Sequence, residues 1–130
     1  MSIKDLIDFI DRHTEDGAVS PREPWGEGIG IEEERENLVR SLSNREWLTL
    51  YEQLSKKSNF WLGCLIEILD GVGTQPARQM IIHLALNGTE ENFFDAMECI
   101  RDFKHDVSTY TWLKLKNRSA EILRRRIKRK

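Results

Sequence analysis

The sequence predicts an all-α protein of about seven helices, arranged as stacked antiparallel helical hairpins. Apolar residues recur at helical spacing in successive stretches, most of them opened by a Ser, Thr or Asn able to cap a helix. No alternating apolar run flanked by turn dipeptides signals a β-hairpin. Two hairpin-like stretches also repeat at a spacing of 31 residues: Ser43-Asn44-Arg45-Glu46 and Ser58-Asn59 open one pair, and Thr74-Gln75-Pro76 and Thr89-Glu90-Glu91 the next.

The first helix starts at Ser2 as N-cap, carries Ile3, Leu6, Ile7 and Ile10 on one side, and is expected to end at Gly17. Asp5 and Asp8 sit in its early turns, where the helix dipole favours negative charge. Residues 16–30 contain Pro21, Pro24, Gly26, Gly28 and Gly30 and read as a long irregular connection, a kind that is usually functional or disordered. A second helix opens on Glu32-Glu33-Glu34-Arg35-Glu36 and turns Leu38, Val39 and Leu42 inward. Ser43 and Glu46 form the S-x-x-E capping box of the third, whose stripe is Trp47, Leu50, Tyr51 and Leu54. The fourth, about 59–70, and the fifth, about 76–87, are apolar nearly all round and must be covered on most sides, so they form the centre. Pro76 suits a first helical turn and Asn87-Gly88 a C-terminus. Thr89 caps the sixth, with Phe93, Phe94, Met97, Ile100 and Phe103 as its face. Ser108 caps the last, with Trp112, Leu115, Ser119, Ile122 and Leu123 on one side and fraying expected beyond Leu123.

A capped turn followed by Pro76-Ala77-Arg78 and a broad apolar helix resembles the start of a HEAT-type repeat. The resemblance covers roughly residues 43–105, although the first unit has Arg45-Glu46-Trp47 and no proline. It implies a curved right-handed stack of α-α pairs, HEAT/ARM-like, that binds other macromolecules and is not an enzyme.

The chain of 130 residues is expected to be one domain: acidic N-terminal helices and loop over 1–42, two hairpins over 43–105, and a basic C-terminal helix over 108–130. The net charge of −2 hides an asymmetry, with −7 over residues 1–36, −3 over 37–113 and +8 over 114–130. No apolar run approaches the roughly 20 residues of a membrane span, and the N-terminus lacks the apolar core of a signal peptide. Cys64 and Cys99 fall inside apolar helical patterns and read as buried reduced thiols, so a cytoplasmic location without a membrane partner is expected.

Motifs for chemistry are missing. His13, His83 and His105 have no Cys or His partner at metal-ligand spacing. Gly71-Val72-Gly73-Thr74 lacks the lysine and preceding strand of a phosphate loop and reads as a turn between repeats. Gly26-Glu27-Gly28-Ile29-Gly30 follows no strand and carries a glutamate that would repel phosphate. No cofactor, metal or catalytic residue is therefore expected.

Two binding readings remain. Trp25 in a Gly/Pro-rich loop between Glu23 and Glu27, followed by Glu32, Glu33 and Glu34, fits an aromatic anchor among carboxylates that steer a basic partner. Size, charge and helical character are similar to those of bacterial toxin-immunity proteins, including helical ones of contact-dependent growth inhibition systems. That resemblance implies a module whose acidic surface blocks the active site of a cognate toxin, a nuclease among the fitting classes. The alternative is nucleic-acid binding through Arg124, Arg125, Arg126, Lys128, Arg129 and Lys130, which can contact phosphates.

Overall fold

The computed structural model describes residues 2–15 and 31–129, with side chains for 3–12 and 36–128. Among them are seven α-helices and no strand: α1 (Ser2–Glu15), α2 (Ile31–Arg40), α3 (Asn44–Gln53), α4 (Asn59–Val72), α5 (Gln75–Asn87), α6 (Glu90–Asp102) and α7 (Thr109–Arg129). Short 3-10 turns, Leu54–Lys56 and Lys104–Asp106, follow α3 and α6. The helix starts keep the repeat: α3 to α5 and α4 to α6 are each offset by 31 residues. The expected end of α1 at Gly17 lies outside the described residues. The residues sort into two compact units, Met1–Met80 and Ile81–Lys130, with the division inside α5.

In the first unit, α1 packs on α2, α3 and α4, and α2 packs on α4. Helix α4 is the element that α1 and α2 cover. Trp61, Leu62, Gly63, Cys64, Leu65, Ile66, Ile68, Leu69 and Val72 are all buried, so its apolar character around most of the circumference is matched by burial. Each fully buried Leu or Ile stabilises the fold by about 1.5–3 kcal/mol relative to its exposed state. Leu6 and Ile10 of α1 and Val39 of α2 contribute the facing buried side chains of those helices. The Trp61 indole N–H donates to Asp11 Oδ1 at 2.8 Å, so the polar edge of this large ring is satisfied across α1 and α4. The Lys57 ammonium stands 4.8 Å from the centroid of the same ring.

Helix ends follow local chemistry. Ser43 Oγ accepts from Glu46 N–H and Glu46 Oε1 accepts from Ser43 N–H, a complete capping box. The same carboxylate reaches further: its Oε2 accepts the Ile3 backbone N–H at 2.9 Å, one of the donors that the first turn of α1 cannot satisfy internally. Ser58, Thr89 and Ser108 accept from the third residue of α4, α6 and α7. Gly73 ends α4 in the left-handed region at φ 66°, with its N–H donating to Leu69 O, a conformation that a side chain would oppose.

The second unit buries Leu84, Phe93, Ile100, Phe103, Leu115 and Ile122 among its larger side chains. Two expectations change here. Phe94 does not lie on the buried face of α6: it is 39% exposed, because the buried stripe runs through Asn92, Phe93, Ala96, Cys99 and Ile100. The last helix does not fray after Leu123 but continues to Arg129. Glu121 pairs with Arg125 one turn on, and Arg126 pairs with Glu90 of α6 at 3.6 Å while covering the Phe94 ring at 4.6 Å. Cys64 and Cys99 are buried and are not joined in a disulfide.

Hydrogen bonds from Ser43 and then Ile3 hold the Glu46 carboxyl below its ordinary value. A depressed folded-state value contributes stability above the unfolded one and loses it as pH falls through the folded one. Stability of the native chain should therefore fall below about pH 4, and Glu46→Gln should flatten that part of the profile in urea titrations between acidic and neutral pH. An unchanged profile would mean that the bridge between α1 and α3 is not formed in solution.

Candidate functional site

The acidic reading rests on residues from two settings. Glu23, Trp25 and Glu27 lie outside the described residues. Glu32, Glu33 and Glu34 fall in the first turns of α2, and their side chains are likewise not described. The backbone places them near the helix N-terminus, where unpaired N–H groups and the dipole favour carboxylates. The remainder of α2 is anchored: Val39 is buried, Leu42 just beyond the helix is buried, and Glu36 pairs with Arg40 at 3.5 Å. The acidic turn therefore belongs to a helix seated on α1 and α4.

The basic reading falls on α7. Arg124, Arg125, Arg126 and Lys128 are exposed; Arg129 is the last helical residue, and Lys130 lies outside the described residues. The carrier helix is held firmly in its unit. Leu115 and Ile122 are buried, and Arg118 reaches the C-terminus of α5, donating from Nη1 to Leu86 O at 2.8 Å and from Nη2 to Gly88 O. Its guanidinium also stands 5.9 Å from the Phe93 centroid. One side chain thus satisfies two backbone carbonyls at a helix end, which the planar fork of arginine can do and the single ammonium of lysine cannot.

The helix also exposes large apolar groups that the sequence reading did not single out: Tyr110 at 69%, Leu113 at 56% and Ile127 at 72%, joined by Leu123 at 53%. Leu123 was expected on the buried side. A signal for the others exists, since Leu113, Ala120 and Ile127 recur every seven residues, a second apolar line on a helix whose first line is Leu115 and Ile122. The role of Arg118 had no such signal, because its partners lie about 30 residues away in the chain.

Burial shifts three titratable groups elsewhere. Burial, with a smaller effect from Glu67, pushes the Cys64 thiol up to about 12, far from the thiolate that nucleophilic or metal chemistry requires. Burial lowers His83, whose ring Nδ1 lies 3.4 Å from Asn87 Nδ2, and burial raises Tyr51. Among the described residues no three His, Cys, Asp or Glu side chains are grouped to hold a metal ion, and no helix is long and apolar enough to cross a membrane.

Compared with known proteins, the chain matches no family model, no curated protein and no solved structure.

Removing the Arg118 fork should matter for stability in the second unit. Arg118→Met leaves two helix-terminal carbonyls without this donor and should cost about 1–3 kcal/mol, with Arg118→Lys recovering only part. Thermal and urea unfolding of the two variants would measure it, and wild-type stability in Arg118→Met would rule out the clamp.

Proposed function

We propose that the chain is a protein-binding module that captures a basic partner through its acidic N-terminal part. The observation that carries this is the segregation of charge between the compact units: residues 1–80 are net −6 and residues 81–130 net +4. An acidic excess concentrated on one packed unit raises the encounter rate with a cationic surface and suppresses acidic competitors. Glu32, Glu33 and Glu34 on α2 contribute the carboxylates, and Glu23, Trp25 and Glu27 of the preceding segment add two more with an aromatic anchor.

The specific form proposed is an immunity protein that neutralises a cognate toxin, with a nuclease as the best-fitting class. A nuclease cleft is cationic because it binds phosphates, and a row of carboxylates can occupy the same positions. The scaffold proposed for it is a small HEAT-like stack of antiparallel pairs in a cytoplasmic protein. The 31-residue offset between helix starts supports the repeat, and the Pro76-Ala77-Arg78 start of α5 supports its type.

A second reading is nucleic-acid binding by α7, favoured by its exposed Arg124, Arg125, Arg126 and Lys128 on one continuous helix. Each phosphate contact would make affinity steeply salt-dependent.

Pull-down from the native host should recover a basic toxin-type domain. The triple reversal Glu27→Lys, Glu32→Lys and Glu33→Lys should weaken its capture on the order of 100-fold without lowering thermal stability. Capture that survives all three substitutions would place the contact elsewhere. For the second reading, duplex DNA affinity should collapse between about 50 and 200 mM salt and vanish when residues 124–130 are removed. No binding at low salt would eliminate it.

A further inference from the structure

Five of the six large apolar side chains that stand exposed in the described structure belong to the second unit: Phe94, Tyr110, Leu113, Leu123 and Ile127. Four of these are on α7, and none is needed to hold that helix, since Leu115 and Ile122 already bury its inner face. Helix α7 is therefore apolar on two lines, and only one of them is covered.

The geometry points to a docking surface on the outer line of α7 for an acidic amphipathic helix of a partner protein. The inference concerns the basic unit and stands independently of the acidic capture surface. Leu113, Ala120 and Ile127 repeat every seven residues, with Lys116 and Leu123 at the intermediate three- and four-residue steps. That 3-4 alternation is the seam by which one helix packs along another. Exposed Ala120 at its centre leaves room for a facing side chain to enter between Leu113 and Leu123. From Leu113 to Ile127 the line presents about 21 Å of contact length, enough for some four turns of a partner.

Charge selects the occupant. The line contains Lys116 and is flanked by Arg124 and Lys128, and the one acidic residue of α7, Glu121, is engaged by Arg125. A second copy of α7 would set cations against cations, which costs affinity in such seams. A helix with leucines on its seam and glutamates on its flanks meets both requirements. Nucleic acid would use the cations but leave Leu113, Leu123 and Ile127 facing phosphates and water. A flat lipid surface would use both but needs no seven-residue register, and it would have to accommodate Lys116 within the line.

The test uses the full chain and a fluorescent synthetic helical peptide of about four heptads, with Leu at the seam and Glu on both flanks. A peptide of identical composition in scrambled order is the control. Anisotropy should show the patterned peptide bound at least tenfold tighter than the scrambled one. Leu113→Glu with Ile127→Glu should abolish the difference, and Lys116→Glu with Arg124→Glu should weaken binding at least tenfold. Circular dichroism should show both variants still folded, as expected for exposed positions; if either unfolds, Ala120→Glu replaces it. Equal binding of the two peptides, or binding indifferent to these substitutions, overturns the proposal. So does tighter binding to a 20-base-pair duplex or to phosphatidylserine vesicles that is lost on Leu113→Glu with Ile127→Glu. The triple reversal on the acidic unit should leave patterned-peptide binding unchanged, which separates the two surfaces.

Discussion

A helix that is apolar around most of its circumference cannot stand at a surface, and α4 imposes that constraint on everything near it. Nine of its fourteen residues are buried, more than a one-sided amphipathic helix would hide. Its neighbours therefore have to supply cover from several directions, which α1 and α2 do by packing on it and on each other. The indole of Trp61 shows how closely the cover is fitted: the one polar atom of a nearly buried ring meets Asp11 of α1. Because α4 alone would expose this surface to water, the helices of the first unit gain most of their stability from one another and little from intrinsic propensity.

Helix ends form the second layer of organisation, and they are satisfied at two ranges. Ser43, Ser58, Thr89 and Ser108 act on donors within their own helices. Glu46 and Arg118 act across the chain: the first serves the start of α1 as well as its own capping box, and the second serves the end of α5 from the middle of α7. Charged side chains placed at helix termini meet the dipole with the favourable sign in both cases, carboxylate at N–H groups and guanidinium at carbonyls. These two residues also bind elements that local sequence alone would leave unconnected.

The distribution of charge has consequences for recognition. The acidic excess and the basic excess fall in different compact units, so each unit can present its own potential. The proposed capture of a basic partner uses the first. The outer line of α7, apolar and edged by cations, would use the second. A helix anchored by Leu115, Ile122 and Arg118 brings a preformed surface to such a contact, and a preformed surface lowers the entropic cost of binding.

The sequence by itself determined the helical class, the starts of the seven described helices to within a residue, and the caps at Ser43, Ser58, Thr89 and Ser108, but not the ends: α4 continues through Gly71 and Val72, which read as a turn. The starts and caps follow from short-range rules: apolar spacing of three and four, a hydroxyl before a helix, a proline in a first turn. The burial of α4 was legible for the same reason, whereas on α1 only Leu6 and Ile10 of the expected line are buried and on α3 only Leu50, with Leu54 just beyond it. Tertiary structure decided which of two adjacent phenylalanines, Phe93 or Phe94, is buried, since both fit a helical face and only the packing of neighbouring elements selects between them. It decided that α7 stays helical to Arg129, because the pairings of Arg126 with Glu90 and Phe94 join residues more than 30 positions apart. It also decided that Leu113, Leu123 and Ile127 stay uncovered. A sequence shows that a residue is apolar, but whether a surface exists to cover it depends on where every other helix has been placed.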